Sequence, residues 1–239
     1  DQRDRRHMGT TAGQFIEALA NRHRVLVIGG LAVIAHGFNR PTKDADVWLE
    51  PLESPCEWKQ ALEETCARFP GVTLHALPGW RRIAGHEIAA AAEEIGMVRV
   101  LGLDCPVDIF RQPNEFPAQS FDEVFERATP HRDGTRVPDP VDLIITKLNT
   151  GRDKDLDDSR HLESVIRQRY RSLLPTASLD EVRKMLDRFL DWEVCRMAME
   201  NPDEAVRKHA VECLRSMAAE GDPFSQALLE DRRVPYSVS

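Results

Sequence analysis

The apolar positions of this chain change period partway along it. Up to Phe110 they come as short runs or alternations between helical segments, and beyond Asp139 they recur every three to four residues. Thr11 and Gln14 stand in capping-box spacing before a helix whose buried face is Phe15, Ile16 and Leu19. The β-branched run Val25–Ile28 predicts a buried strand that stops at a Gly29-Gly30 turn. Leu31–His36 then starts a short helix that Gly37 ends. From Asp44 to Leu49 the alternation is clean: Ala45, Val47 and Leu49 point one way, Asp44, Asp46 and Trp48 the other. A helix over Cys56–Phe69, a strand over Val72–Leu77, a helix over Ile88–Ile95, strands over Met97–Leu103 and Pro106–Phe110, and a helix over Phe121–Ala128 follow. Then come five helical stretches, Asp139–Asn149, Asp153–Arg169, Leu179–Met199, Asp203–Ala219 and Pro223–Asp231, divided by Gly151, Pro175, Pro202 and Gly221. The pattern predicts an α/β (α+β) domain over 1–135 and a helical domain over 136–239, with the boundary in the turn-rich stretch Arg132–Pro138.

Composition narrows this little. Of 239 residues, 41% are hydrophobic and 30% charged, the balance of a globular chain. No apolar run approaches the roughly 18 residues that a membrane span needs. Asp1–Thr11 is charged and lacks the apolar core of a secretion signal, so the expected location is the cytoplasm, with no membrane partner. The five cysteines, Cys56, Cys66, Cys105, Cys195 and Cys213, are dispersed and read as reduced thiols. A net charge of −8 disfavours broad electrostatic binding to nucleic acid, although Arg167, Arg169 and Arg171 offer a local basic stretch.

The candidate chemistry lies in the first domain. On a strand, residues i and i+2 share a face, so the carboxylates of Asp44 and Asp46 project together. Two like charges held that close are costly unless a cation neutralises them, and carboxylate oxygens suit Mg2+ or Mn2+. Asp108, flanked by Val107 and Ile109, brings a third acid if its strand lies beside the first; Asp104 is its rival should the register differ. Three such carboxylates can hold two metals about 3.5–4 Å apart for in-line phosphoryl or nucleotidyl displacement. Gly29 and Gly30 let a phosphate approach backbone that no side chain covers. Arg40, Thr42 and Lys43, just before the acidic strand, are candidates for touching a nucleotide. Lys147 reads either as a lysine whose stem is buried and whose amine reaches water, or as a cation for phosphate. Arg152 and Lys154 read either as part of a solvated, mixed-sign helix start or as phosphate ligands. Trp48 faces the carboxylate side as a pocket wall, and His36 reads as a packed or exposed histidine rather than a catalyst.

Val27-Ile28-Gly29-Gly30, thirteen further residues, then Asp44-Ala45-Asp46-Val47 resembles the motif of the nucleotidyltransferase superfamily, with Asp108 similar to its later third carboxylate. The stretch from Gly29 through His36-Gly37 and Arg40–Asp46 looks closest to the prokaryotic abortive-infection and toxin–antitoxin members, as do Asp142–Leu148 and Gly151–Asp155. The resemblance covers roughly Val25–Leu162. It implies a minimal nucleotidyltransferase fold with a mixed sheet, a divalent metal, and a nucleoside triphosphate from which a nucleoside monophosphate is transferred to an acceptor hydroxyl. It does not fix the acceptor, which ranges across the superfamily from RNA ends, such as those of tRNA, to proteins and small antibiotics. As a toxin-like member the chain would modify RNA such as tRNA, or a protein, and have an antitoxin as partner. The alternative is a non-catalytic nucleotide sensor or interaction module on the same fold.

Overall fold

A computed structural model describes residues 11–113, 120–147 and 152–231. The first element is α1 (Ala12–Ala20), whose Thr11–Gln14 capping box forms as the spacing predicts. Its start is tied down a second time, because Asp104 Oδ1 accepts from the Ala12 amide at 2.6 Å. β1 (Val25–Ile28) is buried at every position. It leads into α2 (Gly29–Ala35), so the two glycines are the first residues of the helix and not a turn before it. β2 (Ala45–Leu49), α3 (Pro55–Cys66), β3 (Thr73–Ala76) and β4 (Arg81–Ile83) follow. Next come α4 (His86–Glu94), β5 (Met97–Leu101), β6 (Val107–Phe110) and α5 (Phe121–Arg127). Two short strands, β7 (Thr129–Pro130) and β8 (Arg136–Val137), lead to α6 (Pro140–Ile145) and α7 (Asp153–Leu173). Leu148, Asn149 and Gly151, expected at the end of a helix and the break after it, lie outside the described residues.

Among the described residues the strands form one mixed sheet of eight, in the order β4-β3-β5-β6-β2-β1-β8-β7. β6 runs parallel to β2 and β8 parallel to β1; the other neighbours are antiparallel. Period-2 alternation then separates two cores. Ala45, Val47, Leu49, Val98, Val100, Val107 and Ile109 pack with Phe15, Leu19, Trp58 and Leu62 of α1 and α3. Leu26, Ile28 and Trp48 pack with Phe121, Val124, Leu143 and Leu162. Trp48 is therefore a core residue and not a pocket wall: it is fully buried, meets Phe121 edge-on, and its indole N–H donates to the Arg111 carbonyl at 3.2 Å.

The chain divides into two compact units, Asp1–Leu162 and Glu163–Ser239. The stretch Arg132–Pro138 supplies β8, which extends the sheet beside β1. The second unit is helical, with α8 (Leu179–Arg188), α9 (Trp192–Ala198), α10 (Glu204–Ala219) and α11 (Pro223–Glu230). The predicted single helix over Leu179–Met199 is thus two. Asp191 ends the continuity by capping α9, accepting from the amides of Glu193 and Val194. Arg167 holds that cap with two hydrogen bonds to its carboxylate, at 3.2 and 2.7 Å. Asn201, buried, closes the unit by donating to the carbonyls of Leu174 and Ala177. Among the described residues, no helix is long and apolar enough to cross a membrane.

Candidate active site

One row of side chains crosses the sheet on a single face. Ile28 of β1 stands opposite Asp46 of β2, Asp46 opposite Asp108 of β6, Asp108 opposite Arg99 of β5, and Arg99 opposite His75 of β3. The parallel β2–β6 pairing thus sets the two predicted carboxylates side by side, in the register expected for Asp108. Asp104 stays outside the pocket, occupied with the amides of Ala12 and Cys105. Asp44, two residues before Asp46, lines the same cavity of about 580 Å3. Its backbone and side-chain oxygens both accept from the Thr42 hydroxyl.

Burial, together with the neighbouring charges of Asp44 and Asp108, pushes the Asp46 carboxyl up to about 6, against a smaller opposing pull from Lys147 and Lys154. Asp108 has its own cation. The Arg99 guanidinium donates to both of its oxygens, at 2.6 and 2.7 Å, and this pairing raises the Arg99 pKa. Arg99 also lies over the Trp80 ring, 3.9 Å from its centroid. His75 fixes Trp80 in turn: its Nδ1 donates to the Trp80 carbonyl at 2.8 Å, which leaves Nε2 to accept from the Thr73 hydroxyl. Among the described residues, no group of three or more His, Cys, Asp or Glu side chains gathers to hold a metal. The commitment of Asp108 to Arg99 is a physical reason for that. The chemistry of Asp44 and Asp46, two hard oxygen donors with one carboxyl driven toward neutrality, suits a single divalent cation.

On the other flank lies a chain of ion pairs. Arg40 donates to both oxygens of Asp158, at 2.7 and 2.8 Å. Lys147 Nζ stands 2.9 Å from Asp158 and 3.2 Å from Asp155, and Arg152 Nε 2.5 Å from Asp155. The side chains of Asp158, Asp155 and Lys147 are 0%, 2% and 6% exposed. The Lys147 amine is therefore not in water; it is buried between two carboxylates, the partners that a buried charge requires. Among the described residues, three cations, Arg40, Lys147 and Arg152, share these two acids. Lys154 is exposed, lines the pocket, and has no ion pair among the described residues.

The glycines are required by the protein's own side chains. A Cβ on Gly29, which sits at φ +60, would run into the Asp46 carboxylate. One on Gly30 would stand 2.8 Å from the Thr42 hydroxyl and 3.0 Å from the Arg40 guanidinium. Of the residues singled out in the sequence, Gly29, Gly30, Arg40, Thr42, Asp44, Asp46, Asp108, Lys147, Arg152 and Lys154 all line this cavity. Lys43 does not; it turns into a separate cavity with Ile16, Leu31 and His131. His36 is structural, donating from Nε2 to the Pro138 carbonyl, while its own carbonyl accepts from His161.

Sequence reasoning missed Arg99 and Trp80, and it placed an acid of the cluster Asp153–Asp158 at the cleft without singling out Asp155 and Asp158. Signals for three of them were present. Arg99 alternates with buried Val98 and Val100, which places it on the carboxylate face. Asp155 and Asp158 share a helix face with Leu162, where a solvated acid does not belong.

No family model matches the chain, and neither does any curated protein sequence. Among solved structures it is similar to one described as "putative nucleotidyltransferase from H. pylori", with 14% identity, 87% of this chain and 93% of that chain covered, and a TM-score of 0.34. A likeness of that size carries no argument about activity.

Proposed function

We propose that this cavity is the site of a metal-dependent nucleotidyltransferase. The observation that carries the reading is the in-register Asp46–Asp108 pair, with Asp44 beside it, facing the cavity that Gly29, Gly30 and a set of cations also line. Asp44 and Asp46 would hold one Mg2+ or Mn2+. When bound, that ion offsets the charge of a nucleoside triphosphate and of the pyrophosphate that leaves. Lys154, Arg152 and the Arg40–Lys147 chain draw the triphosphate to the glycine flank by charge. Arg99 occupies two of the roughly four lone-pair sites of Asp108, and the others orient the acceptor hydroxyl and take its proton. An RNA or protein acceptor and an antitoxin partner rest on the sequence resemblance alone.

The test is transfer of label from α-labelled triphosphates, with Mg2+, into an acceptor pool, with pyrophosphate release followed in parallel. Asp108→Asn suppresses transfer at least a hundredfold while triphosphate binding stays within about threefold, because its contribution is made to the transition state. Metal-dependent binding without transfer from any nucleotide favours the sensor reading, which the pairing of Asp108 with Arg99 also supports.

A further inference from the structure

The two flanks of the cavity differ in chemistry. Apart from Arg99, the cations that line it, Arg40, Lys147, Arg152 and Lys154, belong to the glycine flank, over β1 and β2. Beyond Asp108, over β5 and β3, the lining is mostly apolar: Leu77, Trp80, Ile95, Met97 and Phe110, with Gln112 the uncharged polar side chain among them. Leu77 and Ile95 are 39% and 37% exposed, so this wall offers apolar surface that a ligand in the cleft can cover. Arg99, the one cation on this wall among the described residues, is spent on Asp108 and Trp80.

From this wall we infer that the acceptor is a neutral molecule or side chain carrying its hydroxyl on an aromatic or aliphatic body, not a nucleic-acid end. The inference rests on the nucleotidyltransferase reading above. In an in-line displacement, the attacking and leaving oxygens stand on opposite sides of the α-phosphorus. The pyrophosphate leaves toward the cations, so the attacking oxygen comes from the opposite flank, which is the apolar one. The nucleoside, attached through an equatorial oxygen, occupies neither end. The acceptor oxygen forms a bond to the α-phosphorus, the bond from that phosphorus to the bridging oxygen breaks, pyrophosphate departs, and the hydroxyl proton passes to Asp108. A polyanionic acceptor would need unpaired cations along this wall, whereas an apolar body gains from covering it.

The experiment uses N-acetyltyrosinamide as a neutral aromatic alcohol, followed by saturation-transfer NMR on the full chain, with Mg2+ and α,β-methylene ATP. The probe binds, its signal persists when the triphosphate analogue is added, and Leu77→Glu or Ile95→Glu weakens it about tenfold. Both positions are partly exposed, so either variant folds. Displacement of the probe by the analogue would make the wall a nucleobase pocket and overturn the inference. So would the absence of probe binding, its indifference to both variants, or its displacement by an oligoribonucleotide with a free 3′ hydroxyl. Binding of the analogue is measured separately by calorimetry. If it fails there, the nucleotidyltransferase reading falls and takes the acceptor assignment with it.

Discussion

Arg99 and Asp108 stand directly opposite each other on β5 and β6 and share two short hydrogen bonds, so one acid of the carboxylate row is neutralised by the protein itself. With the Arg99 side chain 21% exposed and that of Asp108 8%, this pair is partly desolvated. Removing one partner leaves the other charge uncompensated, which costs more than the pair contributes. Arg99→Gln should lower stability by about 2–3 kcal/mol, and Arg99→Gln with Asp108→Asn should recover much of it. Urea denaturation of the four proteins in a double-mutant cycle measures this. Strict additivity would show that the two side chains are not coupled.

Asp46 sets the pH behaviour. Its carboxyl titrates at about 6 in the fold, raised from 3.8, so the folded state holds a proton that the unfolded chain has already released. Between those values stability falls as pH rises, and above pH 6 the full cost of the ionised form remains. Asp46→Asn should therefore raise the metal-free melting temperature at pH 7.5, by roughly 2 kcal/mol of stability, and change it little at pH 4. Melting curves across this range decide it; a variant less stable than the parent at pH 7.5 would be contrary to this account.

A divalent cation should act in the opposite sense. Mg2+ or Mn2+ stabilises the fold by binding it selectively, more at pH 7.5 than at pH 5, where protons compete for Asp46. The gain disappears in Asp44→Asn with Asp46→Asn and survives in Lys43→Ala, since Lys43 faces another cavity. A melting series with each metal checks both arms.

Lys147 is a stability determinant whatever the site does. Lys147→Met keeps the volume but strips two buried carboxylates, Asp155 and Asp158, of their shared cation. The expected loss is about 3–5 kcal/mol, read from denaturant midpoints. A loss under 1 kcal/mol would mean that Arg40 and Arg152 suffice alone.

The glycine positions separate two causes. Gly29→Ala meets both a left-handed backbone and the Asp46 carboxylate. Adding Asp46→Gly, which removes the colliding Cβ as well as the carboxylate, should relieve the collision but leave about 1–2 kcal/mol of backbone strain. Equal stability of Gly29→Ala in either background would show that the Asp46 side chain is not the obstacle.

The alternation at 44–49 made the paired faces of β2 legible, because a period of two has one reading on a half-buried strand. The pairing of Asp46 with Asp108 was readable only conditionally: two parallel strands joined by a long crossover leave no local trace of register. β4 and β8 were too short to show a period. Phe189 and Leu190 kept the helical rhythm going past Asp191, so the cap that splits α8 from α9 passed for one more surface acid. Asp155 and Asp158 were hidden by company, since Asp153 and Asp157 nearby are exposed.

The bridge from Arg40 to Asp158 spans 118 positions of sequence. Forming it closes most of the first unit into a loop, an entropic cost that local contacts cannot offset early. The β1–β8 pairing, Leu26 with Arg136, closes a loop of similar length, so the outer part of the sheet and the cationic flank of the cavity depend on the same kind of long-range closure. Order in the pocket thus depends on contacts between segments far apart in the sequence. A nascent chain released only as far as β8 presents the acids Asp44, Asp46 and Asp108 without the lysine and the helix that later stand across from them.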